Sequence, residues 1–252
     1  MTTTILYTLI YSPYILTLLV LLNSIHISGT IAAIIELSVY GYISHNVRNS
    51  LSFDNIDNIT YYWLCFTILT GLWELTYLTR KKEVSGISQK LITSKTHVWS
   101  NKYPVSSIIP KNFSKIFYAE YGAWADREYM TNSNYWSNLV EGTHCLFCAL
   151  FSLIALYYYH IGNLENYTIS ISVAMGNQFM NSVLYLGEYV VQCYDKNSLN
   201  YNSEDFPTGK FLSKRLFMWI NLPWILFPSY IIIKSLWIHN LALCIGILGK
   251  IM

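Results

Sequence analysis

Charged residues are scarce in this chain of 252 residues. Only 12% of the residues are Asp, Glu, Lys or Arg, and the formal net charge is +2. So small a positive excess gives no electrostatic footprint for a nucleic acid, and no run of Lys and Arg alternates with aromatic residues as a single-strand groove requires. The composition therefore predicts that nucleic acid is not a partner.

Cysteine is sparse as well. The five cysteines lie mostly in apolar runs, and an odd number at irregular spacing does not resemble a secreted disulfide framework. We interpret them as small buried residues. Cys145 and Cys148 form a C-x-x-C pair directly after His144, a spacing found in zinc and redox sites, but no second pair accompanies it. We therefore expect no metal ion here.

Apolar residues are what the chain has in abundance. Hydrophobic residues make up 53% of it and the mean hydropathy is positive, which is unusual for a soluble domain of this size. A membrane-spanning helix needs about 20 mostly apolar residues. The sequence predicts an all-α, polytopic transmembrane helix bundle, with candidate spans at residues 5–22, 29–45, 60–79, 138–159, 167–192 and 214–238.

The hydropathy pattern divides the chain into three regions. These are an N-terminal hydrophobic segment (1–24), a membrane domain (25–238) and a short apolar C-terminal tail (239–252). The first span lacks a basic leading region and a clear cleavage site, so we interpret it as either a signal anchor or an additional helix.

Acidic residues occur inside the predicted spans, where an ionised carboxylate costs about 2.5–3.5 kcal/mol on insertion scales. They are Glu36, Glu74, Glu141 and Glu188. One explanation is a shared polar cavity. The other is that they lie near helix ends and reach the interface, and for Glu36 both explanations stay open.

Two of these acids share a helix face with other polar residues. Thr70 and Tyr77 lie about one turn on either side of Glu74. Glu141 and His144 are three residues apart and share a face, where the imidazole could share a proton with the carboxylate. Packing is the alternative for that pair.

The last two spans carry further polar residues. A stripe at helical spacing in the fifth span is typical of interhelical hydrogen bonding or of a binding site, and comprises Gln178, Asn181, Tyr185 and Glu188. In the sixth span Asn221 and Trp224 are one turn apart, and we expect Pro223 to kink the helix between them. An indole facing buried acids suits a cation, either a basic amine or a transient carbocation. A core or interfacial aromatic is the alternative for Trp224.

Four motifs in chain order resemble the emopamil-binding protein family, the sterol Δ8-Δ7 isomerases and their relatives in the EXPERA group. They are EYGAWADREY (120–129), VEGTHC (140–145), GNQFMNSVLYLGE (176–188) and FMWINLPWILFPSYI (217–231). The resemblance covers roughly residues 60–238. It implies a five-helix bundle in the endoplasmic reticulum membrane, surrounded by lipid and often a homodimer, with a cavity that takes a sterol or a hydrophobic amine.

Carried over by position, the resemblance implies roles for individual residues. It implies that Glu74 and Glu141 act as acid and base, with His144 as a proton relay. Trp224 would stabilise a carbocation, and Asn221 would orient the site. Thr70, Tyr77, Gln178, Asn181, Tyr185 and Glu188 would contact the substrate. Glu120, Tyr121, Asp126 and Arg127 match the family's E-Y-x-x-x-D-x-R connection, with Asp126 shifted by one position, and would order that loop through an ion-pair network.

The sequence departs from the family pattern at two positions, and three functions therefore stay open. Thr70 stands where isomerases have a histidine, and His144 stands where they have a threonine, so an imidazole has changed helices. As an isomerase, the protein would protonate the C8=C9 bond of a sterol and remove a proton from C7. That reaction is redox-neutral and implies no metal and no organic cofactor. The alternatives are a non-catalytic binding protein for sterols or amphiphilic amines, and a structural membrane subunit.

Overall fold

Helices dominate the computed structural model, which describes residues 24–53, 55–131, 135–201 and 214–235. The N-terminal span predicted at 5–22 and the tail at 239–252 lie outside the described residues. The helices are α1 (Gly29–Ser50), α2 (Asn58–Thr79), α3 (Lys81–Ser94), α4 (Pro110–Trp124), α5 (Arg127–Thr131), α6 (Tyr135–His160), α7 (Leu164–Tyr194) and α8 (223–235). Two short antiparallel strands, β1 (His26–Ser28) and β2 (Lys102–Pro104), pair with Ile27 opposite Tyr103.

Polar side chains begin the long helices at defined residues. The side chain of Ser28 accepts a hydrogen bond from the amide of Ile31, and that of Asp57 accepts one from the amide of Thr60 at 3.0 Å. Such caps satisfy amides that have no partner within the helix. The starts of α1 and α2 are therefore encoded locally.

Two stretches are long and apolar enough to cross a membrane, Leu139–His160 and Leu216–Ser235. They coincide with the spans predicted at 138–159 and 214–238. The spans predicted at 29–45, 60–79 and 167–192 are confirmed as helices, but they do not reach the same apolar composition within the described residues. Their tyrosine, threonine and asparagine side chains carry polar groups that lower the mean hydropathy.

The chain bends before Pro223 in a different way from the predicted kink. A 3₁₀ helix runs from Leu216 to Asn221, and α8 begins at Pro223. A proline at the first helical position loses no helical hydrogen bond, because that amide has no intrahelical acceptor. The change from 3₁₀ to α geometry places Asn221 and Trp224 on the same wall of a cavity.

Helices α2, α6 and α7 pack side by side, and α4 packs across α2 and α3. Gly71 of α2 allows the approach to α6, since a Cβ atom at this position would lie 2.6 Å from the Cβ atom of Ala149. The outward faces remain apolar, as shown by the exposed side chains of Ile34 on α1, Leu153 on α6 and Val191 on α7.

Candidate active site

A cavity of about 110 Å³ lies between α2, α4, α6, α7 and the segment that joins the 3₁₀ helix to α8. Eight of the predicted catalytic and substrate-binding residues line it, although they come from four separate regions of the chain. They are Thr70, Glu74, Glu141, His144, Asn181, Tyr185, Asn221 and Trp224. The predicted convergence of these residues on one cavity is present in the structure.

Glu74 is buried and held by two tyrosines. The hydroxyl groups of Tyr118 and Tyr129 donate to its Oε2 and Oε1 atoms, respectively. Both phenol rings stack on the ring of Tyr77, with centroid separations of 4.6 and 5.2 Å. A carboxylate can accept at both of its oxygens, so each oxygen of Glu74 has a hydroxyl donor.

Glu141 has a weaker set of partners. The side-chain amide of Asn181 lies 3.4 Å from each of its carboxyl oxygens. One oxygen of Glu141, one oxygen of Glu74 and the sulfur of Cys145 all lie within 4.8 Å of one another. Two acids this close in a buried site tend to share a proton or a cation, because their mutual repulsion opposes double ionisation.

The same three side chains are the candidate metal ligands among the described residues. A zinc ion would accept two carboxylate oxygens and a thiolate. The C-x-x-C pair does not act as a unit there, since Cys148 contacts the carbonyl oxygen of Ala174 at 3.5 Å. Cys145 alone of that pair lines the cavity.

His144 lines the cavity without bonding to Glu141. Its Nδ1 atom lies 3.6 Å from the sulfur of Cys148, one turn further along α6. Glu141 instead reaches across to Asn181 on α7. Within the described part of the chain no hydrogen bond joins the imidazole to the carboxyl group, so the predicted proton-sharing pair is not formed.

Asn221 and Trp224 form the wall opposite α6. The amide of Asn221 donates to the hydroxyl of Tyr121 and to the carbonyl oxygen of Met218, both at 2.9 Å. The indole of Trp224 meets that of Trp63 edge to face, with ring centroids 5.4 Å apart. Contacts to α4 and to the 3₁₀ helix itself orient Asn221, and the contact to α2 orients Trp224.

Asp126 of the loop is held by a network of neutral hydrogen-bond donors. Asp126 accepts from the hydroxyl of Tyr185 at 2.6 Å and from the amide of Asn200 at 2.8 Å. Burial raises the pKa of Asp126 above its ordinary value, and these hydrogen bonds oppose the shift. Tyr121 bonds to Tyr185, which links the loop to the cavity wall. Asp126 thus relies on neutral donors.

The other two loop residues fasten neighbouring segments. Glu120 accepts from the backbone amide of Val98 at 3.0 Å and contacts Nδ1 of His97 at 2.7 Å. The backbone amide of Arg127 donates to the side chain of Asn200 at 2.9 Å. These contacts attach the loop before β2 to the last turn of α4, and the region after α7 to the start of α5.

Three predicted substrate-binding residues lie outside the cavity. Tyr77 donates to the backbone carbonyl of Tyr129 at 2.8 Å. Gln178 is buried and accepts from the indole nitrogen of Trp63 at 2.8 Å, which ties α7 to α2. Glu188 is exposed and accepts from the side chain of Gln192 on its own helix. Helical spacing placed Tyr77 on the face of Glu74, and Gln178 and Glu188 on the polar stripe of α7, but both faces are wider than the cavity.

Several lining residues were missed by the sequence analysis. Tyr129 closes the EYGAWADREY motif, and Tyr118 lies one turn before Tyr121 on α4, so both had a positional signal. Trp73 carried none; its ring lines the cavity while its indole nitrogen donates to Glu36 at 2.9 Å. Because Glu36 is buried and has this partner, it does not reach the interface.

No family model, no curated protein and no solved structure matches this chain.

Proposed function

We propose that this protein is an integral membrane isomerase that moves the ring double bond of a sterol from C8=C9 to C7=C8. The motifs that resemble the emopamil-binding protein family support this proposal. The exposure of the two apolar segments supports it as well. In the most apolar 18-residue stretches of Leu139–His160 and Leu216–Ser235, only 22% and 17% of the residues are buried, whereas the core helix of a soluble protein would be mostly buried. We extend the proposal to a five-helix bundle of α1, α2, α6, α7 and residues 216–235 in the endoplasmic reticulum membrane.

The observation that carries the proposal is the meeting of two acids and an indole in one cavity. Carboxyl oxygens of Glu74 and Glu141 lie within 4.8 Å of each other, and Trp224 lines the same space. A double-bond shift needs one group that gives a proton, one that takes a proton, and stabilisation of the positive charge between the two steps. This arrangement provides all three.

The hydrogen bonds support different roles for the two acids. Glu74 receives two hydroxyl donors, which stabilise its carboxylate, so we assign it as the base. Among the described residues, Glu141 accepts only the long contacts from Asn181, so we assign it as the acid. In the reaction, Glu141 gives its proton to C9 and leaves a tertiary cation at C8. Glu74 then takes a proton from C7, and the C–H electrons form the C7=C8 bond.

Trp224 and Asn221 complete the reacting surface. A cation over the face of a desolvated indole gains about 2 kcal/mol or more. Asn221 is held by Tyr121 and Met218 and orients the wall on which Trp224 lies. His144 has no bond to Glu141 and serves as a wall of the cavity rather than as a relay.

The size of the cavity adds a requirement for substrate binding. Its volume of about 110 Å³ is below the about 300–1,000 Å³ that is typical of small-molecule sites. The acids can therefore reach part of a fused ring system only after the walls move apart. Because the outer faces of α6 and α7 are apolar, we propose that the sterol arrives from the lipid.

Turnover of a purified sample tests the proposal. Protein in lipid nanodiscs is incubated with a Δ8 sterol, and the Δ7 product is separated and identified by gas chromatography with mass spectrometry. Glu141→Gln should lower the rate by about 10²–10⁴-fold, the usual contribution of a general acid. Glu165→Gln, which changes an exposed glutamate at the start of α7, is the matched control and should retain the wild-type rate.

A folded wild type that forms no Δ7 sterol would contradict the proposal. Loss of turnover on treatment with a chelator would instead point to a metal at Glu74, Glu141 and Cys145. If the side chains alone carry out the acid/base chemistry, the protein should be fully active with and without the chelator.

A second candidate is a non-catalytic binding protein for amphiphilic amines. Thr70 in place of the family histidine, together with the missing bond between His144 and Glu141, favours it. Two acids beside an indole also suit a substituted ammonium group. Binding of a labelled hydrophobic amine that is lost in Trp224→Ala, in a protein without isomerase activity, would identify this function. Absence of both activities would favour the structural subunit.

A further inference from the structure

A second, smaller cavity adjoins the first. Its volume is about 40 Å³, and it shares Tyr129, Glu141 and Tyr185 with the larger cavity. A water molecule needs about 10–15 Å³ by this kind of measure, so the space suffices for about three waters. Glu141 therefore lines both the larger cavity and an adjoining space that is large enough for water.

Charged and amide side chains on one part of the smaller cavity's wall reach the surface. Glu188 is exposed, and Lys81, Glu128 and Gln192 are partly exposed. The residues next to Glu188 on the same helix are apolar and exposed, as Leu184 and Val191 show. Polar groups thus interrupt an otherwise apolar outer face at the point where the small cavity opens.

The proposed reaction gives such a passage a role. After each turnover Glu141 has lost a proton and Glu74 has gained one, so the pair must be reset before the next sterol binds. If water reaches Glu141, it can give a proton to that carboxyl group and then take up the proton that Glu74 releases across the distance of less than 4.8 Å between the two acids, so no other reactant is needed.

We infer that the small cavity is a water-filled passage that exchanges protons between bulk water and the Glu74–Glu141 pair, with Glu188 as the positioning residue at its mouth. The reset role rests on the proposed function, but the exchange itself does not require turnover. Glu188 orders water at the opening and does not touch the sterol. Asp126, Glu128, Glu141 and Lys81 are the other charged or titratable groups that line the passage besides its tyrosines.

Infrared spectroscopy measures this exchange directly. Protein in nanodiscs is transferred from H₂O to D₂O, and the C=O stretch of the protonated carboxyl group is followed as it shifts to lower frequency. Glu141→Gln and Glu74→Gln assign the band. In Glu188→Leu the exchange should be about tenfold slower than in the wild type, whereas Glu165→Leu, an exposed glutamate of the same helix away from the passage, should leave it unchanged.

The outcomes separate this inference from the proposed function. Wild-type exchange in Glu188→Leu, with an unchanged melting temperature, would overturn the passage whatever the enzyme does. Slowed exchange in a protein that does not convert sterols would refute the isomerase and keep the passage. Because Glu188 is exposed and its hydrogen bond is to Gln192 on its own helix, the variant should fold; Lys81→Met provides a second substitution in the same wall and should also slow exchange.

Discussion

The contact between α2 and α6 at Gly71 makes a sharp prediction about stability. A Cβ atom at this position would lie 2.6 Å from the Cβ of Ala149 and 3.1 Å from the carbonyl oxygen of Cys145. Neither atom is the flexible end of a side chain, so Gly71→Ala must move the helices apart. Overpacking of this kind costs about 1–3 kcal/mol.

Gly176→Ala supplies the matched control for the helix propensity of alanine. It lies within α7, and a Cβ atom there would have no heavy atom within 4 Å. Both substitutions gain up to about 1 kcal/mol from the better helix former, so their difference isolates the packing cost. At about 2–4 °C per kcal/mol for a chain of this size, Gly71→Ala should unfold about 2–12 °C below Gly176→Ala.

Thermal unfolding of detergent-solubilised protein, followed by tryptophan fluorescence, measures this difference. The double variant Gly71→Ala with Ala149→Gly removes the clashing methyl group and should recover most of the loss, as expected for directly contacting residues. Equal melting temperatures for Gly71→Ala and Gly176→Ala would refute the close contact of α2 with α6, and with it the position of Glu141 beside Glu74.

Two further predictions concern the acid site and the start of α2. Tyr129→Phe removes one of the hydroxyl donors of Glu74. Because a hydrogen bond to a charged group contributes about 1.5–3 kcal/mol, sterol turnover should fall by about 10–100-fold. A wild-type rate would contradict the assignment of Glu74 as the base. At the start of α2, burial acts to raise the pKa of Asp57, but hydrogen bonds from Lys234 and Thr60 outweigh it and leave the pKa below its ordinary value. The resulting stabilisation, about 0.2–1 kcal/mol for a partly exposed pair, is present above about pH 4 and lost as the pH falls through the lowered pKa. Melting curves between pH 3 and 7 should show this loss in the wild type but not in Asp57→Asn, which keeps the helix cap. Asp57→Ala, which removes the cap, should lower the free energy of unfolding by about 1 kcal/mol more. The same acid dependence in Asp57→Asn would disprove the assignment.

Much of the helix pattern could be predicted because it depends on residues close together in the chain. The apolar runs predicted at 138–159 and 214–238 correspond to helical segments that can span a membrane. Glu74 and Glu141 were identified as acids inside predicted spans, and Trp224 as an indole one turn from Asn221. All three line one cavity.

Partner choice was where sequence reasoning was wrong. His144 and Glu141 share a face of α6, but they point to different neighbours, Cys148 and Asn181. Gln178 belongs to the same stripe as Asn181 but bonds to Trp63 instead of lining the cavity. Spacing along a helix identifies a face, and a face spans more directions than one cavity occupies.

The amino-acid sequence by itself determined which segments are helical and which of them carry acids on a face, because backbone geometry repeats with a fixed period along the chain. Only the tertiary structure decided that two tyrosines from α4 and α5 bind both oxygens of Glu74, while Glu141 has one weak donor among the residues that the structure describes. Those hydrogen bonds cross between elements separated by tens of residues, and they depend on distances of a few ångströms that packing alone establishes.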